Sequence, residues 1–276
     1  MAEYDFQQLG VRVADQVAVV ELLWPDGRSP DKQVGHHELA TCLTRMRGDD
    51  DIRVLVLKGA VDGTFYAPFT GGEHSAEPSR FKKGVMSDPE HLYRALQETQ
   101  QIMDAITRME KPVIAMVNGN ALGLGASLAM ACDFIVADEE AFITDIHLAN
   151  HHFVPGAATS TGIVPGDGGV VFWPAQLGLV KAKEFLMTGR PVTARTLADL
   201  NAITKAVPAS ELQAAVDGYV RELLARPAWA LGWTKLTINK RLRADLELTL
   251  DASAALEALS MRVRDDYPGP RGKQTL

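Results

Sequence analysis

Lys111-Pro-Val-Ile-Ala-Met-Val-Asn-Gly-Asn-Ala-Leu-Gly-Leu-Gly-Ala-Ser-Leu-Ala-Met-Ala-Cys-Asp133 is the stretch that decides the fold. Lys111-Pro112 stops a helix, because proline lacks a backbone donor and turns the residue before it toward extended geometry. Val113–Val117 then reads as a strand buried on both faces, as parallel strands are. At Gly123-Leu-Gly125 a strand–loop segment passes into a small-residue helix, Ala126–Cys132. Glycines there let backbone approach a ligand closely, and a helix start presents N–H groups at its positive dipole end. One such donor aimed at a developing oxyanion is worth about 3–4 kcal/mol of barrier. The same glycines would also serve close helix packing, and no Gly-Lys-Ser/Thr marks a phosphate loop.

Upstream, Val11–Val13 and Val17–Leu23 are β-branched runs that suggest a hairpin around Ala-Asp-Gln. Leu39, Cys42, Leu43 and Met46 make one apolar helical stripe, and Ile52–Leu57 reads as another buried strand. Residues 58–88 are irregular and rich in Gly and Pro, as functional loops are. Ser87-Asp-Pro-Glu90 starts a helix whose stripe runs through Leu92, Leu96, Thr99, Met103 and Ile106. Downstream, Asp133–Ala137 and Ala141–Ile143 are expected as short strands, and residues 144–169 carry no period. From 170 onward the chain is expected as helix, interrupted at Gly189-Arg-Pro191 and by the apolar stretch Ala202–Val207. Alternating strands and helices followed by a helical last third imply an α/β core with an appended layer.

The chain has 276 residues, with 28 Lys and Arg against 35 Asp and Glu, a formal charge of −7. That acidic balance argues against nucleic acid as a partner, since phosphate binding needs a clustered basic face. Two cysteines far apart, Cys42 and Cys132, exclude a disulfide framework and a Cys-based zinc site. No apolar run approaches the roughly 18 residues that span a bilayer, and the first residues do not resemble a signal peptide. A cytoplasmic protein without membrane contact is the expectation.

The central stretch resembles the signature segment of the crotonase, or enoyl-CoA hydratase/isomerase, family. Supporting likeness lies in Ile52-Arg-Val-Leu-Val-Leu-Lys-Gly59, Gly63-Thr-Phe-Tyr-Ala67, Gly162-Ile-Val-Pro-Gly-Asp-Gly-Gly169 and Leu186-Met-Thr-Gly-Arg190. The resemblance implies an α/β fold: a spiral core of ββα units over 1–200, and a C-terminal helical layer over 201–266 that forms trimers or dimers of trimers. Residues 267–276 are expected as a disordered tail. It also implies two backbone N–H groups that hold a thioester enolate, carried onto Ala67 and Leu124. Pro68, where relatives have glycine, biases Ala67 toward extended geometry. Phe65, Gly123, Gly125, Ser127 and His36 are expected around the substrate.

Hydratases of the family are similar in carrying two glutamates. Here Ser127 stands at the first position and His147 near the second, so plain two-carboxylate hydration is in doubt. Asp145, His147, His151, His152 and Asp167 crowd one segment, and histidine suits acid–base work at neutral pH. Of these, His147, Asp167 and Asp145 are the candidate catalytic side chains, and no metal is expected. The bland alternatives are a helix cap for Asp167, a strand-end cap for Asp145 and surface-loop positions for His151 and His152. The Gly162–Gly168 stretch and His36-His-Glu-Leu39 resemble the 6-oxocamphor hydrolase branch, which cleaves a β-diketone with a histidine–aspartate pair. The expected function is that of an enoyl-CoA hydratase/isomerase-like enzyme on an acyl-CoA thioester, whose oxyanion hole stabilises an enolate, with coenzyme A as part of the substrate and no other cofactor; the alternatives are a C–C bond hydrolase of a β-diketone and a silent acyl-CoA-binding member. Coenzyme A phosphates would need cations such as Arg28, Lys32, Lys82 or Lys83.

Overall fold

The computed structural model describes residues 4–23, 32–66, 89–148 and 162–266. The chain opens with the expected hairpin, β1 (Leu9–Ala14) and β2 (Val17–Leu22), paired antiparallel in register Leu9–Leu22 to Ala14–Val17. Its two-residue turn, Asp15-Gln16, has both φ angles positive, at 51° and 65°, the twist-matched solution for a tight hairpin. Helix α1 (Lys32–Arg47) follows and buries the Leu39, Cys42, Leu43 and Met46 stripe.

Three ββα units then succeed one another. The first is β3 (Val54–Gly59), β4 (Gly63–Tyr66) and α2 (Pro89–Arg108). The second is β5 (Val113–Val117), β6 (Gly119–Leu122) and α3 (Leu124–Ala131). The third is β7 (Phe134–Asp138), β8 (Ile143–Thr144) and α4 (Gly169–Thr188). The first strands of the units extend a six-stranded sheet in the order β1-β2-β3-β5-β7-β9, parallel from β2 onward. The second strands form a separate parallel sheet, β4-β6-β8. The chain continues through α5 (Ala194–Asp199), β9 (Lys205–Val207), α6 (Ala209–Leu224) and the long α7 (Ala228–Asp266).

The unbroken apolar strands follow from burial of both sheet faces. Leu55, Leu57, Val113, Ala115, Val117, Ile135 and Ala137 point into the main core with α1–α4. Val54, Val56, Ile114, Met116 and Val136 point the other way, under Leu212, Val216 and Leu223 of α6. Sequence periodicity located these strands and helices to within a residue or two. It left β4 inside an irregular region and read β6 only as a strand–loop segment. Both are four-residue strands that open with glycine, too short for a periodic signal, and β6 pairs with β4 on one side and β8 on the other. The 267–276 tail lies outside the described residues. Among those described, no helix is long and apolar enough to cross a membrane.

Helix α7 is fastened to the core by buried polar groups. The Lys235 ammonium donates to Asp133 Oδ2, 2.6 Å away, and to the Lys111 carbonyl at 3.0 Å, while Asn239 donates to the Thr107 carbonyl. Removing one partner of a buried pair strands the other charge, at a cost of about 3–5 kcal/mol. Lys235→Met is therefore expected to lower urea-unfolding stability by about 3 kcal/mol, and adding Asp133→Asn to restore part of it. A single-variant loss under about 1 kcal/mol would show that the pair does not anchor α7.

Candidate active site

The three parallel strands β4, β6 and β8 end on the same side, and the candidate residues follow them. After β6 the chain turns at Gly123, with φ 58° and ψ −122°, a conformation closed to residues with side chains. Its N–H donates to the Thr144 carbonyl at 3.0 Å, which pins the turn beside the end of β8. Leu124 is the first residue of α3, where a backbone N–H has no acceptor within the helix. Gly125 lies against Tyr66, the last residue of β4. Ala67, the other expected donor, comes next in sequence and lies outside the described residues.

Beyond β8 the chain runs Asp145-Ile-His147. Asp145 Oδ1 accepts the His147 backbone N–H at 3.0 Å and faces its Nδ1 at 2.9 Å, so one carboxylate sets both the loop and the ring. The His147 carbonyl accepts the Ile163 N–H at 3.0 Å, drawing the Gly162–Gly168 loop alongside. That loop delivers Asp167, whose Oδ1 accepts the Ser127 hydroxyl at 2.7 Å and the Gly169 N–H at 3.2 Å. Asp167 Oδ2 stands 3.8 Å from His147 Nε2.

Glu257 on α7 completes the set, its Oε1 3.7 Å from the same Nε2. Ser260 Oγ accepts the Val164 N–H at 3.0 Å and Met261 packs with Ile163, which seats α7 on the loop. Gly166 makes room for the glutamate: a Cβ there would lie 2.2 Å from Glu257 Oε2 and 3.0 Å from Ala254 Cα. All four side chains are buried: Asp145 is 2%, Asp167 6%, Glu257 7% and His147 8% exposed.

Burial alone would depress the imidazole pKa. The charges of Asp145 and Asp167, with the hydrogen bond to Asp145 and the Glu257 carboxyl close to Nε2, overcome it and hold the ring well above its ordinary 6.5. Burial pushes the Asp167 carboxyl up to about 6; the imidazolium opposes this, and Asp145 and Glu257 add to it. Asp145 Oδ2, Asp167 Oδ2 and Glu257 Oε2 are buried without a hydrogen-bond partner among the described residues. The Nε2 contacts to Glu257 and Asp167, at 3.7 and 3.8 Å, exceed hydrogen-bond length. Asp145, His147 and Asp167 also lie close enough to share a cation. Asp145 is hydrogen-bonded to His147, and Asp167 to Ser127.

The structure thus brings Asp145 and Asp167 to the His147 ring and, through Asp167, Ser127, close to the end of β8 and the Gly123–Gly125 turn. Glu257 was not singled out from sequence. Asp167 is not the helix cap: Gly168 is, and makes no side-chain bond, although Asp167 does take one N–H of the first turn. Phe65 is fully buried in the core, and His36 is half-buried on α1, a different element from any of the carboxylates. His151, His152, Arg28, Lys82 and Lys83 lie outside the described residues, and Lys32 opens α1. A cleft of about 590 Å³ between α1, α2 and α7 contains none of these residues, so chemistry rather than cavity size marks the site.

A raised histidine pKa ties stability to pH. Its contribution is complete below the unfolded value near 6.5 and is lost as pH rises through the higher folded value. Thermal unfolding from about pH 6 to about pH 9 is expected to show falling stability, with a shallower fall in His147→Gln. An identical slope in the variant would contradict this.

The sequence model for Enoyl-CoA hydratase/isomerase matches residues 15–263. The mouse protein named enoyl-CoA hydratase domain-containing protein 2, mitochondrial, is 30% identical over 249 residues, 89% of this chain and 77% of its own. An enoyl-CoA hydratase/isomerase structure from Mycobacterium paratuberculosis is 26% identical with a TM-score of 0.79, covering 94% of this chain and 95% of its own. A β-diketone hydrolase from the cyanobacterium Anabaena superposes with a TM-score of 0.78 at 24% identity, covering 96% and 99%. With the spiral of ββα units and the turn at Gly123 in place, the match over nearly the whole chain settles its kinship: it belongs to the enoyl-CoA hydratase/isomerase family.

Proposed function

We propose that this protein is a water-using hydrolase that cleaves the carbon–carbon bond of a β-diketone. The observation that carries this reading is the buried His147, faced by Asp145, Asp167 and Glu257 beside the Gly123-Leu124 turn. Diketone hydrolysis makes three demands: a base for water, a donor for the tetrahedral oxyanion, and an acid for the departing carbon. The carboxylate–imidazole set supplies the first and last, and the Leu124 N–H, with Ala67 as its proposed partner, supplies the second. Ser127 cannot do the work of a hydratase glutamate, because its hydroxyl is committed to Asp167. Likeness to the Anabaena hydrolase supports the fold alone at that identity. The reaction requires no bound metal or cofactor.

A second reading is hydration or isomerisation of a 2-enoyl-CoA thioester. The whole-length family match and the names of relatives such as the crotonyl-CoA hydratase of Syntrophomonas wolfei favour it. Association of copies, a homotrimer or a dimer of trimers, is proposed through the helical layer, where Leu248, Leu256, Leu259 and Val263 of α7 are exposed.

Parallel assays with cyclic β-diketones and with 2-enoyl-CoA esters separate the two. Diketone cleavage is expected, with kcat falling about 10²–10⁴-fold in His147→Gln and in Asp167→Asn. Turnover of enoyl-CoA alone would replace the first reading by the second. Thioester binding without turnover of either class would point to a silent member.

A further inference from the structure

We infer that the cleft between α1, α2 and α7 is a second ligand site, which holds a small monocarboxylic acid with an apolar body through Arg243. It lies apart from the site described above and does not depend on which carbonyl compound that site turns over.

The inference begins with an arginine that lacks a bonding partner. Arg243 stands on α7 and lines the cleft, and its Nε is buried without a hydrogen-bond partner among the described residues. A buried donor left unmade carries its full desolvation penalty, more so in a charged group, and folded proteins keep few of them. Glu247 stands at i+4 on the same helix, a spacing at which opposite charges meet, yet among the described residues no ion pair joins the two. The other three arginines of the cleft are engaged elsewhere. Arg47 makes a bidentate pair with Glu110, at 2.8 and 2.7 Å, and Arg108 pairs with Asp104. Arg45 lies over the rings of Tyr4 and Phe6, at 5.2 and 5.7 Å.

The lining selects the ligand. The cleft's volume, about 590 Å³, falls within the roughly 300–1,000 Å³ of small-molecule sites. Buried Leu246 and Leu250 of α7 and Ala40 of α1 give it apolar wall for a hydrocarbon body. A guanidinium presents parallel N–H donors that match the two oxygens of a carboxylate. The second charge of a phosphate would instead meet Glu247 and Asp251, which are exposed on α7 and line the same cleft. One negative charge on an apolar body suits both the guanidinium and the wall.

Arg243 and Glu257 are fourteen residues apart on α7, about 21 Å along the helix axis. The helix that brings Glu257 to His147 therefore also carries the acid-binding group, and an acid held at Arg243 ties α7 to α1 and α2.

The test is calorimetric titration of the full-length protein with octanoate, with octanamide as its uncharged counterpart. Octanoate is expected to bind, and octanamide to bind at least about 10-fold more weakly. Arg243→Met keeps much of the side chain's apolar length and is expected to weaken octanoate about 10–100-fold. His147→Gln is expected to leave octanoate binding within about twofold, because the two residues are too far apart to couple. Thr41→Phe fills the cleft from α1, leaves the guanidinium in place and is also expected to weaken octanoate; it decides alone if Arg243→Met does not fold. Absence of octanoate binding at millimolar concentration would overturn the inference, as would binding unchanged in Arg243→Met or equal affinity for octanamide. Binding lost in His147→Gln but kept in Arg243→Met would place the acid at the catalytic residues and overturn it as well.

Discussion

Three carboxylates buried around one imidazole set the terms for the rest of this structure. A carboxylate is costly out of water without a partner, and the ring faces all three. The carboxylates arrive from segments far apart in sequence: Asp145 after β8, Asp167 before α4, and Glu257 near the end of α7. The geometry therefore exists only when the spiral of ββα units has closed and α7 has docked. Seating α7 costs a set of polar contacts, each of which the fold satisfies: Lys235 on Asp133, Asn239 on Thr107, and Ser260 on Val164.

The two sheets divide the labour. The six-stranded sheet is apolar on both faces and gives rigidity, with α6 sealing the face away from the other helices. The three-stranded sheet is short and gives position. Its strand ends carry Tyr66, the Gly123 turn and Asp145-Ile-His147, and the bond from Gly123 to Thr144 locks two of these together. The proposed oxyanion donor and the proposed acid–base ring are thereby set at the ends of adjacent strands, the arrangement that preorganised electrostatic catalysis requires.

Much of this was legible in the amino-acid order, for identifiable reasons. Val113–Val117 and Ile52–Leu57 announced strands of a parallel sheet because both faces must be apolar, and Asp15-Gln16 sits at a hairpin turn that the β-branched runs on either side located. Asp145, His147 and Asp167 stood out because titratable residues were dense in an aperiodic segment. Glu257 was hidden by distance and by ordinariness, since a glutamate on a long amphipathic helix normally faces solvent. The available signal was its setting, Ala252-Ser-Ala-Ala-Leu-Glu-Ala258, whose small residues let the helix approach Gly166. Strand β4 was lost for another reason: Thr64, Phe65 and Tyr66 favour strands, but the run is only four residues long and stands at the head of a Gly- and Pro-rich region, and its pairing with β6 has no local signature.

The central claim is that the Leu124 N–H and the His147–Asp167 edge act on one and the same carbonyl group. A crystal structure with a bound keto-acid product measures this directly. The expected result is a ligand oxygen about 2.7–3.1 Å from the Leu124 nitrogen, with the former reacting carbon beside His147 Nε2 and Asp167 Oδ2. A ligand whose oxygen is held elsewhere, with the Leu124 N–H bonded to the protein itself, would contradict it.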